Sequence, residues 1–274
     1  MIFNNNLAAI HGYLCSDGYV IRNPITQKKK YYHIGLRNTN DVLLRDFQVK
    51  FEKEFGILPI ITDEGRCKIQ NKGIYKILTK EYSYYSYEWK LPKLSNKHLR
   101  YWLRAFFDCE GWVENQPAKS RLVGAESCNE SGIRCIQEAL KKLGISSTLS
   151  KRTGRTMWRL VICGRENMRR FQKYIGFLHP EKADKLEEAI NSYKDFTWSI
   201  PLDKPSLLQF LQEKGRFRLS RKEWRLLSIK RENLEILNKA LNMHGIASRV
   251  YGPWKNSHGS LYYCLIIKQE GMNG

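Results

Sequence analysis

Two short segments carry acids where helix chemistry resists them. "FFDCEGWV", residues 106–113, closes a run from His98 to Glu110 that reads as an amphipathic helix with Asp108 and Glu110 in its last turn. The C-terminal end of a helix bears partial negative charge, so an acid there costs from a few tenths to about 1 kcal/mol. Asp17 takes the matching place in "IHGYLCSDGYV", residues 10–20. If the two helices pack together, Asp17 and Glu110 meet and repel. A divalent cation removes that cost, and Mg²⁺ takes oxygen ligands of this kind. Metals bridging attacking and leaving oxygens are a known solution for phosphodiester hydrolysis. Read singly, Asp17-Gly18 is a plain turn and Glu110-Gly111 a routine helix stop. Their recurrence at one position of a repeat favours the chemical reading. The candidate metal positions are therefore Asp17 and Glu110 with the adjoining Gly18 and Gly111, for Mg²⁺ with Mn²⁺ or Ca²⁺ as substitutes.

The elements that must position these acids form an internal repeat. "LRAFFDCEGWV" at 103–113 and "LLQFLQEKGRF" at 207–217 align with residues 10–20, giving glycines 18, 111 and 215 a period of roughly a hundred residues, the size of a small α+β unit. After each glycine come two strand-like stretches, a helix, and two more strands, with β-branched and aromatic residues marking the strands. Asn40, Asn129 and Ser228 are the expected N-caps of the middle helices. Each middle helix closes on a Gly-Ile pair at Gly56, Gly144 or Gly245, as expected for a left-handed cap. Short helices near 72–79 and 166–175 complete the first two units. Boundaries fall near 92–97 and 198–205, giving units 1–97, 98–197 and 198–274. Gly12 and Ala105, six residues before the first two terminal glycines, are small enough for close helix contact; Gln209 in the third copy is not. Lys214 replaces the acid there, so the third unit cannot supply that ligand.

Composition sets the partner class. The 274 residues carry 47 Lys+Arg against 27 Asp+Glu, a net charge of +20, which points to a polyanion such as nucleic acid. No apolar run approaches the roughly 18 residues of a membrane span, and the N-terminus lacks a signal-peptide pattern. Seven dispersed cysteines without a C-x-x-C pair exclude zinc-ribbon and thioredoxin readings and fit free thiols in a reducing compartment. Cys109, Cys128, Cys135 and Cys163 are expected to fill core space. A cytoplasmic or organellar, unsecreted monomer without a membrane partner is expected.

The segments "HGYLCSDG" and "LRAFFDCEG" resemble the two signature helices of LAGLIDADG homing endonucleases in their single-chain form, and the likeness runs over residues 7–195. The resemblance implies an α+β fold of pseudo-symmetric αββαββα units. Their signature helices meet at the centre, and their antiparallel sheets form a DNA-binding saddle over a long double-stranded target. A smaller related C-terminal unit is added here, a degenerate third repeat. It further implies an intron-encoded, Mg²⁺-dependent, site-specific DNA endonuclease, with Asp17 and Glu110 as catalytic metal ligands. Asp108 is then the less critical upstream acid, replaced by Cys15 in the first copy. Lys90 and Lys182 are the implied basic residues near the metal centre, with Lys185 as alternate to Lys182; such a lysine stabilises developing charge. The chain departs from the pattern at His11 and Arg104, bulky residues that leave the helix interface imperfectly dry if they face inward. The start at Met1 and the end at Asn273-Gly274 lack the nucleophile and His-Asn pair of an intein, so a free-standing protein is expected.

Strand-borne basic and amide side chains can read bases or contact phosphates. The candidates are Arg22, Lys28, Lys29, Lys30, His33 and Arg37 in the first unit. In the second they are Asn115, Gln116, Lys119, Arg121, Arg152, Arg155 and Arg159. Arg216 and Arg218 represent the third, which is read as an extension of the DNA footprint or, otherwise, as a packing appendage. The KKK run is equally a solvated hairpin tip. The tyrosines of "EYSYYSYEW", 81–89, either stack on bases or, more in keeping with their setting, pack a helix against its sheet. Alternatives to the nuclease are a non-catalytic binding protein on the same scaffold, such as an intron-RNA maturase or a transcription regulator, and a basic structural protein without sequence preference.

Overall fold

A computed structural model describes residues 1–116, 119–193, 196–256 and 261–268. The chain divides into two compact units, residues 1–193 and 194–274.

The first compact unit contains two successive copies of one arrangement. Copy one runs α1 (Asn5–Leu14), β1 (Gly18–Arg22), β2 (Tyr32–Arg37), α2 (Asp41–Phe55), β3 (Ile60–Thr62), β4 (Arg66–Gln70) and α3 (Lys72–Thr79). Copy two runs α4 (Asn96–Glu110), β5 (Gly111–Gln116), β6 (Ser120–Ser127), α5 (Glu130–Lys142), β7 (Thr148–Lys151), β8 (Trp158–Cys163) and α6 (Arg165–Tyr174), then adds α7 (Pro180–Asn191). The sheets are antiparallel and ordered β1-β2-β4-β3 and β5-β6-β8-β7. Local chemistry fixes the helix limits. Asn40 and Asn129 accept backbone N–H bonds at the starts of α2 and α5, as expected. Gly56 and Gly144 take left-handed φ values of 70° and 72° beyond their ends.

The helices cover one face of each sheet and leave the other open. Ile34, Leu36, Phe47 and Phe51 fill the first core; Val123, Ala125, Ile136 and Leu160 fill the second. The two cores interlock at α1 and α4. Ala8 of α1 and its C-cap Cys15 sit in the second core, and Ala105 of α4 sits in the first.

The second compact unit repeats the plan: α8 (Lys204–Lys214), β9 (Arg216–Arg218), a short 3₁₀ turn at Leu219–Arg221, β10 (Glu223–Ser228), α9 (Arg231–Met243), β11 (Ser248–Lys255) and β12 (Leu261–Lys268). Its sheet order, β9-β10-β12-β11, is that of the other two, and Leu211, Leu226, Leu237 and Leu265 lie in a core of its own. Gly245 caps its middle helix at φ 73°.

Several expectations need correction. Ser228 ends β10, and the N-cap of α9 is Lys230 without a side-chain cap bond. Cys135 and Cys163 are exposed and Cys109 and Cys128 half-buried; Cys15, Cys67 and Cys264 are the buried thiols. No helix among the described residues is long and apolar enough to cross a membrane.

Candidate active site and nucleic-acid interface

The site begins with the contact between α1 and α4. A Cβ on Gly12 would stand 2.5 Å from the Trp102 carbonyl oxygen and 3.1 Å from Ala105 Cβ, so only the missing side chain allows the helices this close. The terminal glycines share another steric reason. A Cβ on Gly18 would meet Leu14 Cα at 2.4 Å, one on Gly111 the Phe107 carbonyl oxygen at 2.4 Å, and one on Gly215 the Leu211 carbonyl oxygen at 2.6 Å. Each glycine lets a strand leave directly over the helix end that precedes it. As metal positions, Gly18 and Gly111 have only backbone oxygens to offer.

Asp17 lies in the turn after α1, and Glu110 is the last residue of α4. Burial, the charge of Asp17 and a lesser opposing pull from Lys182 set the Glu110 carboxyl at about 7. An acid pair that holds one member half-protonated at neutral pH lacks positive charge. Lys182 supplies part of it. From the first turn of α7 its Nζ donates to the Asp108 carbonyl oxygen at 2.6 Å and the Cys109 carbonyl oxygen at 3.4 Å, neutralising the end of α4. Burial lowers the Lys182 pKa, and Cys109, Asp108, Asp17 and Glu110 oppose that fall. Lys185 is exposed on the same helix. Lys90 is exposed in the segment between α3 and α4 and is not among the charges acting on Glu110.

Asp108 has a structural task. It is fully buried, and Oδ1 accepts the backbone N–H groups of Leu178 and His179 at 2.9 and 3.0 Å, pinning the entry to α7 and hence Lys182. Burial raises it to about 6 despite those bonds. Copy one has Cys15 here, and no helix lies between α3 and α4 for an acid to hold. A polar chain that sequence reading missed continues across the site. Asn38 Nδ2 donates to Asp17 Oδ2 at 2.8 Å, Asn38 Oδ1 accepts the Asn40 N–H at 2.9 Å, and Asn40 Nδ2 lies 3.4 Å from His179 Nε2. Only Asn40 had a sequence signal, as an N-cap.

His11 faces inward. It is fully buried, and its Nδ1 accepts Trp102 Nε1–H at 3.0 Å inside a ring of Phe3, Tyr82, Tyr84 and Trp102. Burial drives its pKa down to about 3, so it is neutral. Tyr82 and Tyr84 of the aromatic run therefore pack on the helix pair. Arg104 points away from that seam and donates to the Ile175 carbonyl oxygen at 2.6 Å.

Strand register sorts the proposed nucleic-acid residues by face. On the first sheet His33 and Arg37 alternate with buried Ile34 and Leu36, placing them on the open side. Their partners across the ladder are Gln70 and Arg66, and Lys68 faces Gly35 between them. These three residues were missed, although the alternation in "RCKIQ" signals one solvated face. Arg22 pairs with Tyr32, whose ring packs on Tyr75 of α3, so Arg22 lies on the helix side at the sheet's end. Lys28 and Lys29 are exposed, but Lys30 closes its own loop, donating to the carbonyls of Pro24 at 2.9 Å and Ile25 at 2.8 Å.

The second sheet is more self-contained. Asn115 and Arg121 face the helices: Ser192 Oγ donates to Asn115 Oδ1 at 3.3 Å, and Arg121 donates to Ser192 Oγ at 2.6 Å and lies over the Tyr193 ring. Arg152 pairs with Glu126 at 3.0 Å and Arg159 with Glu114 at 3.9 Å, the latter also over Trp112. Gln116, Lys119 and Arg155 remain exposed at the loop ends of this sheet. Arg216 and Arg218 are exposed on β9 of the other compact unit.

Comparison with known proteins finds likeness in sequence and in fold. Residues 97–176 match the model of a LAGLIDADG-like domain. The homing endonuclease I-ApeI of Aeropyrum pernix is 26% identical over 155 residues, covering 53% of this chain and 65% of that protein. A glutamine–fructose-6-phosphate aminotransferase of Methanocaldococcus jannaschii is 27% identical over 232 residues, covering 75% of this chain but only 19% of the aminotransferase. The chain thus spans a small part of that longer relative. Among solved structures, I-DmoI in complex with DNA and Ca superimposes with a TM-score of 0.50 at 14% identity, over 68% of this chain and 100% of that one.

Proposed function

We propose that this chain, of which residues 97–176 match a LAGLIDADG-like domain, is a site-specific double-strand DNA endonuclease that hydrolyses phosphodiesters with a divalent metal. The observation that carries this reading is the acid pair: Asp17 and Glu110 at the ends of two helices in contact, with the charge of Asp17 raising the Glu110 carboxyl and Lys182 opposing that rise.

The donor set suits a hard cation. Mg²⁺ keeps several waters and needs only one or two carboxylates from the protein, and a Glu110 held at about 7 gives up its proton readily when positive charge arrives. Asp17 and Glu110 would hold the ion; when bound, it supplies charge stabilisation and an acidified water to phosphodiester hydrolysis. The rest falls to the chain itself. Asn38 fixes the orientation of the Asp17 carboxylate. Lys182, restrained by two carbonyls, keeps an ammonium where charge builds on a scissile phosphate. His33, Arg37, Arg66 and Lys68 offer the open face of the first sheet to the duplex. I-DmoI, of the same fold, has been crystallised with DNA and Ca, in keeping with a duplex substrate and a divalent ion.

The test is cleavage of a plasmid carrying the joined flanks of the gene's insertion locus, with and without Mg²⁺. Wild-type protein should cut; Asp17→Asn and Glu110→Gln should bind and not cut. Full-rate cutting by either variant rejects the acid pair as the centre. Binding without cutting by the wild type would favour a non-catalytic role, for which the internally paired arginines of the second sheet speak.

A further inference from the structure

The open face of the sheet in residues 194–274 differs in kind from the other two. In the first compact unit the large aromatics on the open faces lie flat. Tyr19 pairs with Gly35 and Trp112 with Gly124, and a Cβ on either glycine would stand 2.6 or 2.4 Å from the aromatic side chain. Those rings are spent on their own sheet. In the sheet of β9–β12 the exposed rings stand instead on the ladder at the opposite edge, β11–β12, and their cross-strand partners are not glycines. Tyr251 pairs with Cys264 and Trp254 with Tyr262. A bulge between Tyr251 and Trp254 sets two residues of β11 against one of β12. Without it residues 251 and 254 would point to opposite faces; with it both point to the open side. Tyr251 is 39% and Trp254 42% exposed, and the rings of Trp254 and Tyr262 lie 5.8 Å apart at 38°. These aromatics and Arg216, Arg218 and Arg225 line a concavity of ≈ 790 Å³.

The charge of this concavity is one-sided. Among the described residues, the acid on this face is Glu223, itself buried and bonded to Arg225 at 2.7 Å. The side chains of Arg216 and Arg218 make no hydrogen bond or ion pair with other described residues, and Arg249 lies over the Tyr251 ring at 5.5 Å. A duplex presents base edges and phosphates; its base faces are covered by their neighbours. Accessible ring faces among guanidinium groups instead match unstacked bases on a phosphate backbone.

We propose that this concave sheet face binds unpaired nucleotides, stacking bases on Trp254, Tyr262 and Tyr251 while Arg216, Arg218 and Arg225 hold the phosphates. The ligand is a single-stranded segment of DNA or RNA. This site shares a nucleic-acid ligand with the nuclease reading but uses neither the acid pair, Lys182 nor the open face of the first sheet, so either can fail alone.

The test uses the full chain with Asp17→Asn to prevent cutting, labelled 12-nucleotide single strands of DNA and of RNA, and a duplex of the same sequence. Single strands should bind, with the DNA and RNA arms telling which sugar is preferred. Trp254→Leu/Tyr262→Leu should weaken single-strand binding at least tenfold and leave duplex affinity within twofold. Trp254→Phe should retain most of it. Ultraviolet cross-linking of halogenated single strands to protein with both rings intact should label β11 or β12. Cross-links confined to residues 1–193, or unchanged single-strand affinity in the folded double variant, would overturn the proposal.

Discussion

At the residue scale, buried polar groups around α1 and α4 have been given separate tasks by their surroundings. Asp108 accepts two backbone N–H groups and pins the entry to α7; Glu110, two residues on, is raised by burial and by the charge of Asp17. His11 shows how burial becomes a pH effect. Its folded pKa is depressed from 6.5 to about 3, so folding favours the neutral ring. The stability it preserves is present above the unfolded pKa and is lost as pH falls toward the folded one. Replacing it with Gln keeps an acceptor for Trp102 and removes the titration. Urea unfolding at pH 7.5 and pH 4.5 should show the wild type losing about 2–3 kcal/mol more than His11→Gln over that interval. Equal losses would mean that His11 takes up protons in the fold as readily as in the unfolded chain.

At the element scale, the site depends on how closely two helices approach. Gly12 makes that contact possible: its missing Cβ leaves 2.5 Å to a backbone oxygen, an atom that cannot swing aside. Gly12→Leu should lower stability by about 1–3 kcal/mol through overpacking and reduce cleavage further than the stability loss explains, because Asp17 and Glu110 separate with their helices. Thermal unfolding and single-turnover cleavage measure the two effects. A Gly12→Leu protein with wild-type melting would show that the seam yields. The same element logic explains the glycines that open β1 and β5 and precede β9, where a strand crosses the helix end and no side chain fits.

At the scale of the whole molecule, one topology occurs three times with three outcomes. Two copies interlock their cores at the acid-bearing helices; the third keeps its own core, ends its first helix in Lys214 and carries exposed rings on its sheet. Residues 1–193 should therefore fold when expressed alone, unfold cooperatively and retain Mg²⁺-dependent cutting, with weaker binding to nucleic acid. Differential scanning calorimetry and the plasmid assay check this; an unfolded fragment would show that the third copy is needed for the stability of the first two. With a net charge of +20, affinity should fall steeply with salt in both proteins.

The sequence by itself determined what is local or periodic. The repeat, the N-caps at Asn40 and Asn129, the left-handed glycines and the acid at the end of each functional helix follow from residue types at fixed spacing. Tertiary structure decided what depends on partners far along the chain. Lys182, rather than Lys90, stands by the acids because α7 folds back to be pinned by Asp108. Arg152 and Arg159 are paired with glutamates on β6 and β5, in each case across an intervening strand, while Lys68 and Gln70 gain the open face through the register of β4 against β2. A charge reads the same in sequence whether it is solvated, paired or buried. Its free energy depends on which dipoles and ions the fold sets beside it, and that juxtaposition exists only in three dimensions.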